Sequence, residues 1–182
     1  MTRKTKLIII LGTNGTGKTT LIEKFVNAEV DRVLVVTPDD RDWLHIPNIY
    51  NIDIAKFDYA GARRRIWQNK ADLSIISAKF RNGLVVFDDC RSYFKANLDI
   101  ELHSLLIRRR QKQNDIIVAA HGFSEVPPKF FTFATEIVLF KTLDNVKKRK
   151  DVLRNFEEMK QLQELVNRKA IDNPHFHKIV KL

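Results

Sequence analysis

Apolar residues gather in five short runs, at 6–11, 32–37, 83–88, 115–121 and 134–141. Each is near-continuous rather than alternating and too short for a buried helix, so all five read as strands covered on both faces. The segments between them carry apolar residues at helical spacing, as in Leu98, Leu102, Leu105 and Leu106. Strands separated by helix-length segments predict an α/β fold with a mainly parallel central sheet and helices on both faces. "PNIYNID" at 47–53 adds a short strand to this expectation, and "FHKIVKL" closes the chain as an edge strand. The Lys/Arg-rich stretch 146–169 reads as a charged, partly amphipathic helix outside the core. The expected division is a core over 1–145, with the basic helix and edge strand of 146–182 packed on the same domain. No repeat, low-complexity tract or Gly/Ser linker interrupts it.

Composition narrows the class. At 182 residues and 44% apolar, the chain is long enough to bury a good core as one domain. Nowhere do 18 apolar residues run together, which argues against a membrane span. The opening "MTRKTKLIIIL" mimics a signal peptide, but its apolar run is too short and no small-residue cleavage site follows. Cys90 stands alone, so neither a disulfide framework nor a Cys-rich metal site is expected, and a reducing, cytoplasm-like compartment fits. The net charge of +10 favours a polyanionic partner.

The most specific signal follows the first strand. In "IIILGTNGTGKTTLIEKF", Gly12, Gly17, Lys18 and Thr19 match G-x-x-x-x-G-K-[ST], the phosphate-binding P-loop. A strand precedes it and a helix follows, so the helix N-terminus points its free N–H groups at the loop. The loop residues Gly12, Thr13, Asn14, Gly15, Thr16 and Gly17, with Lys18, Thr19 and Thr20, form the expected nucleotide-binding segment. Its amides cradle the β- and γ-phosphates, Lys18 neutralises them, and the Thr19 hydroxyl ligates Mg²⁺.

Two more strands end in polar residues. "LVVFDD" places Asp88 and Asp89 at the C-terminal end of a strand, where ligands of open α/β sheets bind. Asp88 is expected to hold Mg²⁺ through water and Asp89 to orient the attacking water. "DIIVAAH" brings out His121 at the end of the next strand, as a sensor of the γ-phosphate. Before that strand, "RRRQKQND" carries Arg108, Arg109 and Arg110 at a helix end. One of them can act as an arginine finger in a neighbouring subunit, and helical phase does not choose among the three. "RRR" at 63–65 and "KKRK" at 147–150 are candidate pore or docking surfaces, or plain solubilising patches.

The order P-loop, "LVVFDD", "RRRQKQND", "IIVAAH", "FATEIVLFKT" resembles the HerA/FtsK superfamily of DNA-pumping ATPases over residues 6 to about 141. The small size is most similar to genome-packaging ATPases of tailless, internal-membrane viruses, with Zot-like phage proteins as more distant relatives. The resemblance implies a three-layer, RecA-like P-loop NTPase fold and an ATP- and Mg²⁺-dependent motor. It also implies a homohexameric ring that pumps DNA without reading its sequence, docked on a capsid portal or vertex protein. It places the trans-acting arginine at Arg110, and the protein in the host cytoplasm or virion rather than among secreted proteins. Family members usually carry Gln or Asn where His121 stands and Asp-Glu where Asp88-Asp89 stands. Zot-like proteins typically carry a transmembrane segment, which favours packaging here. Two other classes fit a P-loop on a parallel sheet: a small-molecule kinase with "KKRKDVLR" as its arginine-bearing lid, or a nucleotide-dependent switch or scaffold.

Overall fold

The computed structural model describes residues 4–28, 31–49, 57–94 and 100–182. Its centre is a seven-stranded sheet built from β1 (Leu7–Leu11), β2 (Arg32–Thr37), β3 (Gly61–Ile66), β4 (Gly83–Phe87), β5 (Asn114–Ala120), β6 (Glu136–Leu139) and β7 (Lys178–Lys181). The strand order is β3-β2-β4-β5-β1-β6-β7. All neighbours are parallel except β7, which runs antiparallel to β6. The five apolar runs are therefore the five central strands, with "FHKIVKL" at one edge as expected.

Helices cover the two faces unequally. One face carries α2 (Lys70–Lys79), α3 (Ile100–Arg108), α4 (Pro128–Phe133) and α5 (Phe156–Lys169). Their Leu73, Ile76, Leu102, Leu105, Phe130 and Met159 pack on Leu7, Ile9, Val85, Val118 and Ile137 of the sheet. The opposite face is covered by α1 (Lys18–Val26), through Ile22 and Val26, and by the loop after β2, through Trp43 and Ile46. Alternate residues of each central strand go to opposite faces: Leu7, Ile9 and Leu11 to the first, Ile8 and Ile10 to the second. Both faces are dry, which is why the runs read as continuous rather than alternating.

Three expectations need correction. The stretch 146–169 is not outside the core. It begins as a 3₁₀ turn at Val146–Arg149, and α5 buries Met159 and Val166. "PNIYNID" contributes one isolated bridge, Asn48 to Arg64; its residues 50–53, like Leu98, lie outside the described residues.

The third correction is the larger. "RRR" at 63–65 is not a solvent-facing patch but the middle of β3, an edge strand paired with β2. Arg64 and Arg65 are buried on opposite faces, Arg65 paired with a carboxylate and Arg64 hydrogen-bonded to backbone carbonyls. Arg65 Nη2 donates to Asp72 Oδ1 of α2 at 2.8 Å, and its Nη1 to the Ile49 carbonyl at 3.1 Å. Arg64 Nη1 reaches the carbonyls of Asp40 and Asp42 in the loop after β2. Only Arg63 stays part-exposed, 5.1 Å from the Tyr59 ring.

A buried ion pair loses stability sharply when one partner is removed, because the other charge stays behind in the core. Arg65→Ala should therefore lower stability by about 3–5 kcal/mol in urea unfolding. Arg63→Ala should cost less than about 1 kcal/mol, the worth of an exposed cation–π contact. Equal, small losses would return the triplet to the surface.

Candidate active site

The phosphate loop is tied down on both sides. Gly12 N–H donates to the Ala120 carbonyl at the end of β5, at 3.1 Å, and Thr13 N–H to the Lys141 carbonyl beyond β6, at 2.8 Å. Gly12 is needed for close approach: a Cβ there would fall 2.6 Å from Phe140 Cβ and 2.7 Å from Thr16 Oγ1. Gly17, at φ 96°, adopts the left-handed turn from which α1 starts. No side chain caps α1 and no acid sits in its first turn, so its amides keep their capacity for an anion. Thr19 and Thr20 are exposed in that turn. Asn14 to Thr20, joined by His175, line a cavity of about 270 Å³. Lys18 Nζ lies beneath the loop and donates to the carbonyls of Gly12 (2.6 Å) and Thr13 (3.1 Å). Burial pushes the Lys18 ammonium down from its usual range, against the opposing pull of Asp88, Asp89 and Glu125.

The carboxylates enter at the end of β4, two strands from β1. Asp88 has both oxygens engaged: Oδ2 accepts from the Trp43 indole N–H at 2.8 Å, and Oδ1 from the Asp89 amide at 3.1 Å. The Tyr93 hydroxyl closes the site from below against the carbonyls of Val36 and Asp88. Burial raises the Asp88 pKa from its ordinary value, with the Trp43 hydrogen bond pulling the other way and nearby Asp42 adding to the rise.

Asp89 stands in the left-handed region, at φ 50°. Its Oδ2 accepts from the Ser92 hydroxyl at 3.3 Å, and its Oδ1 lies 4.0 Å from His121 Nε2. His121 follows β5 directly; its amide donates to Glu125 Oε2 at 2.8 Å, and its carbonyl accepts from the Thr142 hydroxyl at 3.0 Å. Glu125 Oε1 in turn pairs with Arg91 at 3.3 Å.

The fold thus brings Lys18, Asp88, Asp89 and His121 to one edge of the sheet. It does not bring Arg110 there. Arg110 is exposed in the turn before β5, and the seven residues of β5 separate it from His121 by roughly 20 Å at ~3.3 Å per residue. Arg109 is only 2% exposed and donates to the Phe133 carbonyl within its own chain, which removes it from the candidates for contact with a neighbour.

Three site residues escaped the sequence reading, among them His175 of the cavity wall. Trp43 comes from a loop with no motif, and its position at φ 56°, unusual for so bulky a residue, is visible only in three dimensions. Glu125 carried one faint signal, a carboxylate four residues beyond the strand end at His121.

No family model matches the chain, and no curated protein matches it. Solved structures do. The genome packaging NTPase B204 from Sulfolobus turreted icosahedral virus 2, in complex with sulfate, aligns with a TM-score of 0.70 at 14% identity. That alignment covers 98% of this chain and 97% of that one. The ATP-gammaS complex of B204 from the same virus gives 0.65 at 12% identity, covering 97% of each chain. B204 from Sulfolobus Turreted Icosahedral Virus gives 0.68 at 14%, again over 97% of each. The chain therefore has the P-loop NTPase fold of these proteins along its whole length, and the expected likeness to viral packaging ATPases holds at the level of the fold.

Among the described residues, Trp43 is the one side chain from another loop that hydrogen-bonds the Asp88 carboxylate. Trp43→Phe keeps the ring and removes the N–H. If the indole orients a carboxylate that holds a metal, turnover of nucleotide should fall about 10–100-fold. The melting temperature should change little. Unchanged turnover would make the indole a packing residue only.

Proposed function

We propose that this chain hydrolyses ATP and couples the hydrolysis to sequence-independent movement of DNA, as the packaging motor of a virus. The observation that carries the reading is the convergence of Lys18, Asp88, Asp89 and His121 on the ends of three adjacent parallel strands, beside a P-loop. The strand of His121 lies between the P-loop strand and the strand of the two aspartates.

In this reading the loop amides and Lys18 hold the β- and γ-phosphates. The donor set suits Mg²⁺. Among the described residues no cluster of three or more His, Cys, Asp or Glu forms a cage for a cation. Mg²⁺ needs none, since it binds through one or two carboxylates plus the phosphates of its substrate. Asp88, oriented by Trp43, and the exposed Thr19 hydroxyl would hold it, and it would neutralise charge developing on the phosphates. Asp89, with one oxygen on Ser92 and the other toward His121, takes the proton of the attacking water. His121 marks the γ-phosphate end.

Translocation rests on fold likeness and charge. The +10 balance suits a partner gripped by its phosphate backbone, and Lys147, Lys148 and Lys150 face solvent. Arg110, too far from its own P-loop, suits a finger acting in trans in a homohexameric ring. A capsid portal or vertex protein is the matching partner, in the host cytoplasm or the virion. No helix among the described residues is long and apolar enough to cross a membrane. Of the two arginines in the kinase reading's lid "KKRKDVLR", Arg149 spends donors on the carbonyls of Ser124 and Val126, which argues against a lid role for it, while Arg154 is exposed.

ATPase activity with and without DNA, alongside molecular mass in solution, tests the whole. DNA should stimulate hydrolysis by a ring-sized particle; phosphate transfer to a nucleoside or nucleotide would favour the kinase instead. Lys18→Ala should abolish hydrolysis in a folded protein. Asp89→Asn should still bind ATP while turnover falls about 10²–10⁴-fold, the worth of a general base.

Removal of an arginine finger costs on the order of a thousandfold or more. Arg110→Ala should reach that loss and still bind ATP. Mixing it with Lys18→Ala subunits should restore some hydrolysis, through interfaces that pair an intact loop with an intact arginine. Co-assembly without any recovery would exclude Arg110 as the finger.

A further inference from the structure

The wall of the phosphate cavity that no motif supplies is His175, from the turn between α5 and β7. Topology puts it there. Because β7 runs antiparallel to β6, it starts opposite Leu139, at the same sheet edge as the P-loop. The preceding turn is drawn over the loop and held firmly. Asn173 Oδ1 accepts from the His175 amide at 3.1 Å, and the Asn173 carbonyl from the Phe176 amide at 2.9 Å. His177 Nδ1 meets the His175 carbonyl at 3.0 Å, while its ring packs 4.6 Å from that of Phe140, the side chain under Gly12. The His175 ring lies on the face of Gly17: its Nδ1 would be 3.1 Å from a Cβ there.

The two sides of the P-loop strand differ in chemistry. On the β5–β4 side stand Asp88, Asp89 and His121, the groups suited to a terminal phosphate. On the β6–β7 side stands the exposed imidazole of His175, on a turn held by Asn173. A nucleoside triphosphate in the loop is a directional ligand. With its γ-phosphate toward β5 and β4, its sugar and base leave toward β6 and β7.

Resting on the P-loop reading above, we propose that His175 is the base-side contact of this site, its imidazole stacking on the purine of the bound nucleotide. Stacking is available to any base, because every base has a π-face. It requires no hydrogen-bonding motif for adenine, and it suits a ring fixed by its backbone. The side chain is exposed, so its removal leaves the core intact.

Calorimetric titration of the full chain with ATP, GTP and inorganic tripolyphosphate separates the two halves of the ligand. His175→Ala should weaken ATP and GTP about tenfold, within the range of a lost base–aromatic stack, and leave tripolyphosphate within about twofold. His175→Phe should keep ATP within about threefold of the unmodified chain, because the ring is retained. Equal losses for ATP and tripolyphosphate would place the imidazole on the phosphates and overturn the proposal. So would unchanged ATP affinity in His175→Ala, or a His175→Phe variant as weak as His175→Ala. An unmodified chain that binds neither ATP nor tripolyphosphate would overturn the P-loop reading itself, a result the variants cannot mimic.

Discussion

Three parallel strands ending almost level make everything else at this site possible. Leu11 of β1 pairs with Ala120 of β5, and Phe87 of β4 with Val118. Inside the sheet both faces are dry, so no polar side chain is tolerated along these stretches without a partner. The first positions where one can stand are the next residues in each strand's path: Gly12 with its loop, Asp88 with Asp89, and His121. Parallel pairing then sends all of these exits to the same edge. The chemistry is concentrated because the hydrophobic core leaves it nowhere else to go.

That constraint also explains what could be read from the chain and what could not. Lys18 was legible from the G-x-x-x-x-G-K-[ST] spacing, and Asp88 and His121 because each directly follows an apolar run that announces the edge. β3 was not, because "GARRRI" carries three charges where a strand pattern needs apolar residues, and charge runs are usually solvated. The structure resolves the conflict by alternation: Arg64 and Arg65 point to opposite faces, and each finds acceptors there, Asp72 on one side and the Asp40 and Asp42 carbonyls on the other. Trp43 and Glu125 were illegible for a different reason. Both reach the site from loops, and nothing local in either loop encodes the distance to Asp88 or to His121. The C-terminal helix was half legible: its charged face was evident, while Met159 and Val166 form a narrow stripe that enters the core.

These separate pieces form one support. Arg64 holds the loop carbonyls just before Trp43, and Trp43 holds Asp88. A basic triplet on an edge strand thus ends by orienting a carboxylate two strands away. Trp43 and Asp89 both occupy the left-handed region, at φ 56° and 50°, and both touch Asp88. Such a conformation costs about 1–3 kcal/mol per residue and survives only where surrounding contacts over-determine it. Here the surroundings are identifiable: the arginine-pinned loop for Trp43, and the Ser92 hydroxyl with its following 3₁₀ turn for Asp89.

The electrostatics of that arrangement favour one kind of ligand. Burial lowers the pKa of Lys18 and raises that of Asp88, so each charge is less well solvated than it would be at the surface. The two belong to different elements, Lys18 to the start of α1 and Asp88 to the residue after β4, and Lys18 Nζ is directed to loop carbonyls rather than to either aspartate. They therefore offset one another only through space. An anion alone would relieve the lysine and burden the carboxylates; a cation alone would do the reverse. A polyphosphate carrying its own divalent cation brings a negative group to Lys18 and the loop amides, and a positive one to Asp88, in a single ligand. This balance of charges supports the proposed reading, in which the ligand is a nucleotide that brings its own divalent cation.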